Sequence, residues 1–301
     1  MKVEQSQGGS LSRLCLLSGY SRQAYYKRRL LEEEEPLKEE LLIQQVMGYR
    51  QLQPRIGSKK LFHLVGPFMK VHDLDIGRDA FIEVLRRYNL LNKRHRGKPR
   101  TTDSSHWMKK YPNLIKELVP TRSDQLWVSD ITYLTLCESD AFLSLVTDAY
   151  SRKIIGFHVS KSLKAEGTVQ ALEMAVAGRK KIDGLIHHSD RGTQYCCGDY
   201  VDILNDCEIE ISMTQSGNPR DNAIAERVNG ILKMELLEPV FTDLGTARDA
   251  VTKAVNTYNY LRPHSSISML TPALVHGRVL KLKRRWKNYY KARPGKEVMT
   301  E

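Results

Sequence analysis

The stretch from Asp124 to Ser160 constrains this chain more than any other. QLWVSDITYLTL is rich in Val, Ile, Thr and Tyr and alternates in character, so it reads as a strand. AFLSLVTDAY and KIIGFHVS follow, separated only by the turn-like CESD and SRK. Three consecutive strands with such short links predict an antiparallel meander. Residues 165–180 then place Val169, Leu172, Ala175 and Val176 at helical spacing. A short strand GLIHHSD, a helix near 198–206 and the strand EIEISMT come next. The loop QSGNPRDN precedes a helix at about 223–237, and a long helix near 243–260 follows. The order β-β-β-α-β-α-β-α predicts an α/β domain with a mixed sheet over residues 124–278.

Upstream the pattern is helical. LSRLCLLSGYSRQAYYKRR joins a short apolar helix through Gly19 to a basic second helix, with Ser21 as its cap, which suggests a helix-turn-helix-like segment at 1–35. EEEEP at 32–36 reads as a solvated boundary. Residues 36–91 read as about three helices, a second small helical DNA-binding unit or a plain three-helix domain. One helix carries Leu37, Leu41, Leu42 and Val46, and the last places Phe81, Val84, Leu85 and Tyr88 on one face, with Arg86 and Arg87 outside. Residues 92–123 begin with the basic linker NKRHRGKPR, and 279–301 form a basic tail with Trp286, Tyr289 and Tyr290.

Charge follows this division. Residues 1–101 carry 20 Lys and Arg against 11 Asp and Glu, 102–278 carry 19 against 22, and 279–301 carry 8 against 2. A slightly acidic centre between basic flanks suits a polyanionic partner, because clustered cations release counterions from a phosphate backbone. At 41% hydrophobic residues the chain can build cores, and it has no apolar run long enough for a membrane-spanning helix. MKVEQSQGGS lacks the apolar centre of a signal peptide, so a cytoplasmic protein is expected, nucleoid-associated where its basic flanks hold DNA. The five cysteines form no CxxC pair and read as reduced thiols. No heptad run of three or more repeats is present.

Three acids break local rules or sit at element ends. Asp130 lies inside an apolar strand, where Asp is disfavoured. Asp190 ends the strand GLIHH, and Glu226 lies one turn into the helix after the glycine loop. In this element order the first and fourth strands lie side by side, and the helix brings Glu226 to their ends. Three carboxylates in one place need a cation, and hard divalent ions take oxygen ligands. Two such ions about 3.5–4 Å apart serve phosphoryl transfer.

WVSDITYL, HHSDRGTQY and GNPRDNAIAERVNGILKMEL resemble the three motifs of DDE transposases in the retroviral-integrase superfamily, more narrowly the OrfB transposases of frameshifting bacterial insertion sequences. Asp190 and Glu226 are separated by 35 residues, as in that lineage, and YNYLRPHSSISMLTP resembles its segment after the catalytic helix. The resemblance implies a ribonuclease H-like core. It also implies Mg²⁺- or Mn²⁺-dependent cleavage and joining of DNA, with two ions held by Asp130, Asp190 and Glu226. Its implied partners are the terminal inverted repeats, target DNA, further copies in a dimer or larger synaptic complex, and the OrfA product or an OrfA fusion. A ribonuclease H-like nuclease that only hydrolyses, and a catalytically silent DNA-binding regulator, are the alternatives.

Lys233, seven residues after Glu226, reads as a phosphate contact or a solvated lysine; Arg227 and Asn229 are DNA-contact candidates on the same helix. Arg22, Arg86, Arg87, Lys93, Arg94, Arg284 and Arg285 are the candidates outside it. Asp221 or Asn222 is expected to cap the helix, and Gly217, Pro219 and Asn222 suit a mobile loop. His187 and His188 point to opposite faces of a strand, so a zinc pair is not expected. His187 reads as packed, and His188 as a support of Asp190 or a DNA contact.

Overall fold

The computed structural model describes residues 11–92, 107–177, 183–215, 222–278 and 280, apart from the side chains of 30–35. It divides into two compact units. One comprises residues 1–51 and 61–92, and the other 52–60 and 93–301.

In the first unit, α1 (Leu11–Leu17) and α2 (Arg22–Leu52) are joined through Gly19, whose φ of 72° lies in the left-handed region where glycine is at ease. Ser21 Oγ accepts from Ala24 N at 3.1 Å, as an N-cap should. The expected boundary at EEEEP is absent: α2 runs through it for 31 residues with Pro36 inside. The glutamates are good helix formers, and proline costs only local bonds. α3 (Ser58–Val71) and α4 (Arg78–Arg87) complete this part of the chain. Leu42, Val46, Leu61, Val65, Phe81 and Leu85 form its interior, whereas Leu37, Leu41 and Tyr88, expected on the same faces, are exposed.

The second unit is built on a five-stranded sheet of order β3-β2-β1-β4-β5, with β1 Leu126–Thr135, β2 Asp140–Asp148, β3 Ile154–Ser160, β4 Ile186–Ser189 and β5 Glu210–Met213. β1, β2 and β3 pair antiparallel, and β1–β4 and β4–β5 pair parallel. This is the ribonuclease H-like arrangement expected from the sequence. α5 (Glu166–Val176), α6 (Thr193–Cys196) and α7 (Gly198–Asp206) supply one layer, with Leu172, Ala175, Tyr200 and Leu204 packed on Trp127 and Met213. α8 (Ala223–Ile231) and α9 (Leu244–Asn256) supply the other, with Val228, Ile231, Val251 and Val255 against Leu134, Leu143 and Leu145. Burial of each such side chain contributes about 1.5–3 kcal/mol. At Gly156 on β3 a Cβ would meet the Ala171 carbonyl oxygen, so α5 lies directly on glycine backbone.

Two predicted helices end differently. α8 passes into a π-turn at Leu232–Leu236, and α9 into another at Thr257–Leu261. A final short helix, α10, spans Pro272–Val275. Among the described residues no helix is long and apolar enough to cross a membrane.

Candidate active site

β1 is a strand because Trp127, Val128, Ile131, Thr132 and Tyr133 suit a pleated, covered surface. Its parallel pairing with β4 runs from Leu126↔Ile186 to Val128↔His188 and goes no further. Ser129 and Asp130 therefore lie just past the point where β1 leaves β4, while β2 still pairs with them. Asp190 directly follows β4, and Glu226 stands on the first turn of α8.

Two asparagines fasten α8 to this opening. Asn222 Nδ2 donates to the Ser129 carbonyl at 2.8 Å, and Asn229 Nδ2 donates to Asp130 Oδ2 at 2.7 Å. Asn229 was expected to touch DNA. Three residues after Glu226, it is instead buried against β1 and holds the first carboxylate. Asn222 is the N-cap residue by position, but its side chain reaches the sheet and makes no cap hydrogen bond. Asp221, Gly217 and Pro219 lie outside the described residues. Asp190 Oδ1 accepts from Gly192 N at 3.0 Å, and a Cβ at Gly192 would crowd both Asp190 and Gln194.

The three carboxyls share one electrostatic neighbourhood. Burial, then the charge of Asp190, pushes Asp130 up to about 7; Glu226 adds to this, while Asn229 and the Ile131 N–H pull it down. Burial also raises Asp190, opposed by the Gly192 N–H, and raises Glu226. An all-oxygen donor set whose members repel one another fits a hard divalent cation.

Another group of ligand-type side chains lies elsewhere. Asp124, Asp148 and His276 bring ligand atoms within 4.8 Å of one another. The oxygens of Asp148 are already engaged, accepting from Ser151 N at 2.6 Å and Asp124 N at 2.7 Å, while Asp124 Oδ1 accepts from Trp127 Nε1 at 2.9 Å. These bonds latch the start of β1 to the end of β2. Hydrogen bonds from Ser151 N and Oγ, with His276 Nδ1 3.9 Å away, help hold Asp148 below the usual carboxylate range against its burial.

Both histidines are buried. His187 Nε2 lies 2.7 Å from Ser129 Oγ and 2.9 Å from Tyr200 OH, and burial pushes it down to about 3. His188 Nδ1 lies 2.8 Å from Ser212 Oγ. The expectation that His188 contacts DNA is not met, because β4 is an inner strand covered on both faces. The partners Ser129, Tyr200 and Ser212 carried no sequence signal beyond being polar residues in apolar runs.

Residues 120–219 and 207–272 each match a family model described as integrase core domain. A 31 kDa protein of insertion element IS600 from Shigella sonnei is 30% identical over 274 residues, covering 86% of this chain and 96% of that protein. This chain belongs to the integrase-core transposases of insertion sequences. The Escherichia coli transposase InsF of IS3A is 33% identical over 191 residues, 62% of this chain and 66% of that protein. The catalytic core of HTLV-2 integrase, solved in complex with magnesium, is 19% identical with a TM-score of 0.40, covering 52% of this chain and 97% of that one.

The remaining expected DNA contacts of the transposase are scattered. Lys233 is exposed within the π-turn, its Nζ 3.4 Å from Thr132 Oγ1, two residues beyond Asp130. Arg227 and Arg22 are exposed. Arg86 is ion-paired with Glu83 and Arg87 with Glu39. Lys93, Arg94, Arg284 and Arg285 lie outside the described residues. Sequence reasoning missed one cluster behind the site. Arg262, 1% exposed, donates through Nε and Nη2 to both oxygens of Glu235 at 2.9 and 3.0 Å, and Lys60 Nζ lies 3.5 Å from the same carboxylate. Glu235 sits in the π-turn after α8, so this clamp fixes the far end of the segment that carries Glu226 and Lys233. The signal available was Arg262 within the segment YNYLRPH.

Proposed function

We propose that Asp130, Asp190 and Glu226 hold two divalent cations, Mg²⁺ or Mn²⁺, and that this transposase cuts the ends of an insertion sequence and joins them to another DNA strand. The observation that carries the reading is that three carboxyls stand where β1 leaves β4, Asp130 on β1, Asp190 directly after β4 and Glu226 on the first turn of α8, the helix whose Asn229 bonds to Asp130. When bound, such ions neutralise charge on the attacking and leaving oxygens of an in-line displacement.

The chain's own residues supply position. Asn229 holds Asp130 by one oxygen, and the Gly192 N–H holds Asp190 by one of its own. Asn222 keeps the first turn of α8, and so Glu226, at the Ser129 carbonyl. Lys233, beside Thr132, is suited to meet a phosphate of the bound DNA end. Water first cleaves a phosphodiester at the element's end, and the freed 3′-hydroxyl then attacks a second one, so no side-chain nucleophile is needed. The basic flanks grip terminal repeats and target DNA. Two ends acting together call for a dimer or larger complex, with an OrfA product or fusion as a further partner.

The test is incubation of the full chain with end-bearing duplex and Mg²⁺, followed by mapping of 3′ ends and joined products. Glu226→Gln should retain DNA binding and lose cleavage by about a thousandfold, since a metal site supplies several kcal/mol. Unchanged cleavage overturns the site assignment. Hydrolysed ends without joined products indicate a nuclease that only hydrolyses.

A further inference from the structure

Trp107 is the most exposed large hydrophobic residue among the described residues, at 90%. A lone exposed apolar side chain is ordinary, so exposure by itself assigns nothing. The setting does more. The segment that follows is fastened to the sheet: Met213 N donates to Pro112 O at 3.1 Å, Leu114 N donates to Ser212 Oγ at 2.9 Å, and Tyr111 packs against the cluster that holds Trp127 and Tyr195. The indole thus stands on an arm, residues 107–111, that is anchored at Pro112.

The arm is basic. Lys109 and Lys110 are exposed, and Lys109 Nζ lies 5.0 Å from the Tyr111 ring centroid. It is also anchored next to the end of β4. Pro112 takes its hydrogen bond from Met213, and Met213 is in register with Ser189, the residue before Asp190. The Cys196 thiol, six residues after Asp190, is raised first by burial and then by the Asp190 charge, while Lys110 and Arg191 act on it in the opposite direction.

We propose that Trp107 stacks on an unpaired nucleobase at the DNA end while Lys109 and Lys110 grip adjacent phosphates, making the arm one wall of the path the cut strand follows past Asp190. This rests on the reading that DNA ends are the substrate. Lysines supply the sequence-independent attraction to phosphates. The indole adds a stacking face that accepts any base. Bases inside a duplex already stack on each other, so the contact selects for a frayed or single-stranded tail.

The experiment uses the full chain carrying Trp286→Phe, which leaves the exposed Trp107 and the fully buried Trp127 as its indoles. Its fluorescence is titrated in EDTA with a duplex bearing a short single-stranded tail and with the same duplex blunt-ended. Tailed DNA should quench a red-shifted component. Trp107→Ala should abolish that quenching and weaken tailed-DNA binding about tenfold, with blunt-DNA binding unaltered. Trp107→Phe should keep most of the affinity. Quenching that survives Trp107→Ala, equal losses for tailed and blunt DNA, or a blue-shifted Trp107 indifferent to DNA because protein covers it, each overturns the stacking. Normal DNA binding without the signal overturns this inference alone. No binding to either DNA overturns the proposed function with it.

Discussion

Asp130→Asn removes the charge that its surroundings most oppose. The folded carboxyl is pushed to about 7 from an unfolded value of 3.8, chiefly by burial and by Asp190. This reverses the usual carboxylate case. The folded state holds the proton more tightly, so its stability is highest below the unfolded value and is lost as pH rises through about 7. A shift of roughly three units at 1.36 kcal/mol each makes the ionised carboxyl cost about 4 kcal/mol by pH 8 without metal. Asparagine is neutral throughout, and its Oδ1 can still accept from Asn229. In EDTA the variant's advantage in urea denaturation should grow by about 3 kcal/mol between pH 5 and 8 and then level off. Unfolding is followed through the buried Trp127, with Trp107 and Trp286 replaced by Phe. Mg²⁺ at pH 8 should stabilise the parent and leave Asp130→Asn nearly unmoved. An advantage that does not change with pH refutes the electrostatic reasoning.

Other outcomes follow from named contacts. Asn229→Ala should slow single-turnover cleavage by about tenfold or more, the worth of a hydrogen bond to a charged group, with DNA affinity changed less than about twofold. A matching loss of affinity would restore Asn229 as a DNA contact. Arg262→Met should lower stability by about 1–3 kcal/mol by leaving the half-buried Glu235 with Lys60 in place of a two-pronged guanidinium, and adding Glu235→Gln should recover part of it. A loss under about 1 kcal/mol in urea titration would contradict the clamp. Gly156→Ala should destabilise the core by roughly 1–3 kcal/mol, because the new Cβ meets the Ala171 carbonyl; a melting temperature equal to the parent's would show that α5 can lift off.

The meander and the β1–β4 neighbourhood were legible because alternation and short links leave few ways to pair strands, and Asp130 stood out as an acid in an apolar run. What sequence did not disclose is which way a helix faces. Asn229 shares the side of Glu226 whether that side meets DNA or β1, and only the docking of α8 onto the sheet decides it. The π-turn at Leu232–Leu236 was equally hidden, since its residues are ordinary helix formers. The histidines drew attention as ligand types, yet β4 being an interior strand turns both into packing residues with hydroxyl partners. The candidates at Arg86 and Arg87 were judged by charge, which does not tell an ion-paired arginine from one available to phosphate.

Where β4 falls away from β1, the Ser129 carbonyl takes its hydrogen bond from an asparagine side chain in place of a neighbouring strand. α8 thus acts as a splint across a gap in the sheet, pinned at Asn222 and again at Asn229. A slip of one residue along the helix moves every side chain by about 1.5 Å and 100°, and both pins fail together. Spacing among the acids is therefore gauged by two neutral amides. A homologue could keep all three carboxylates and still lose its geometry by changing either amide.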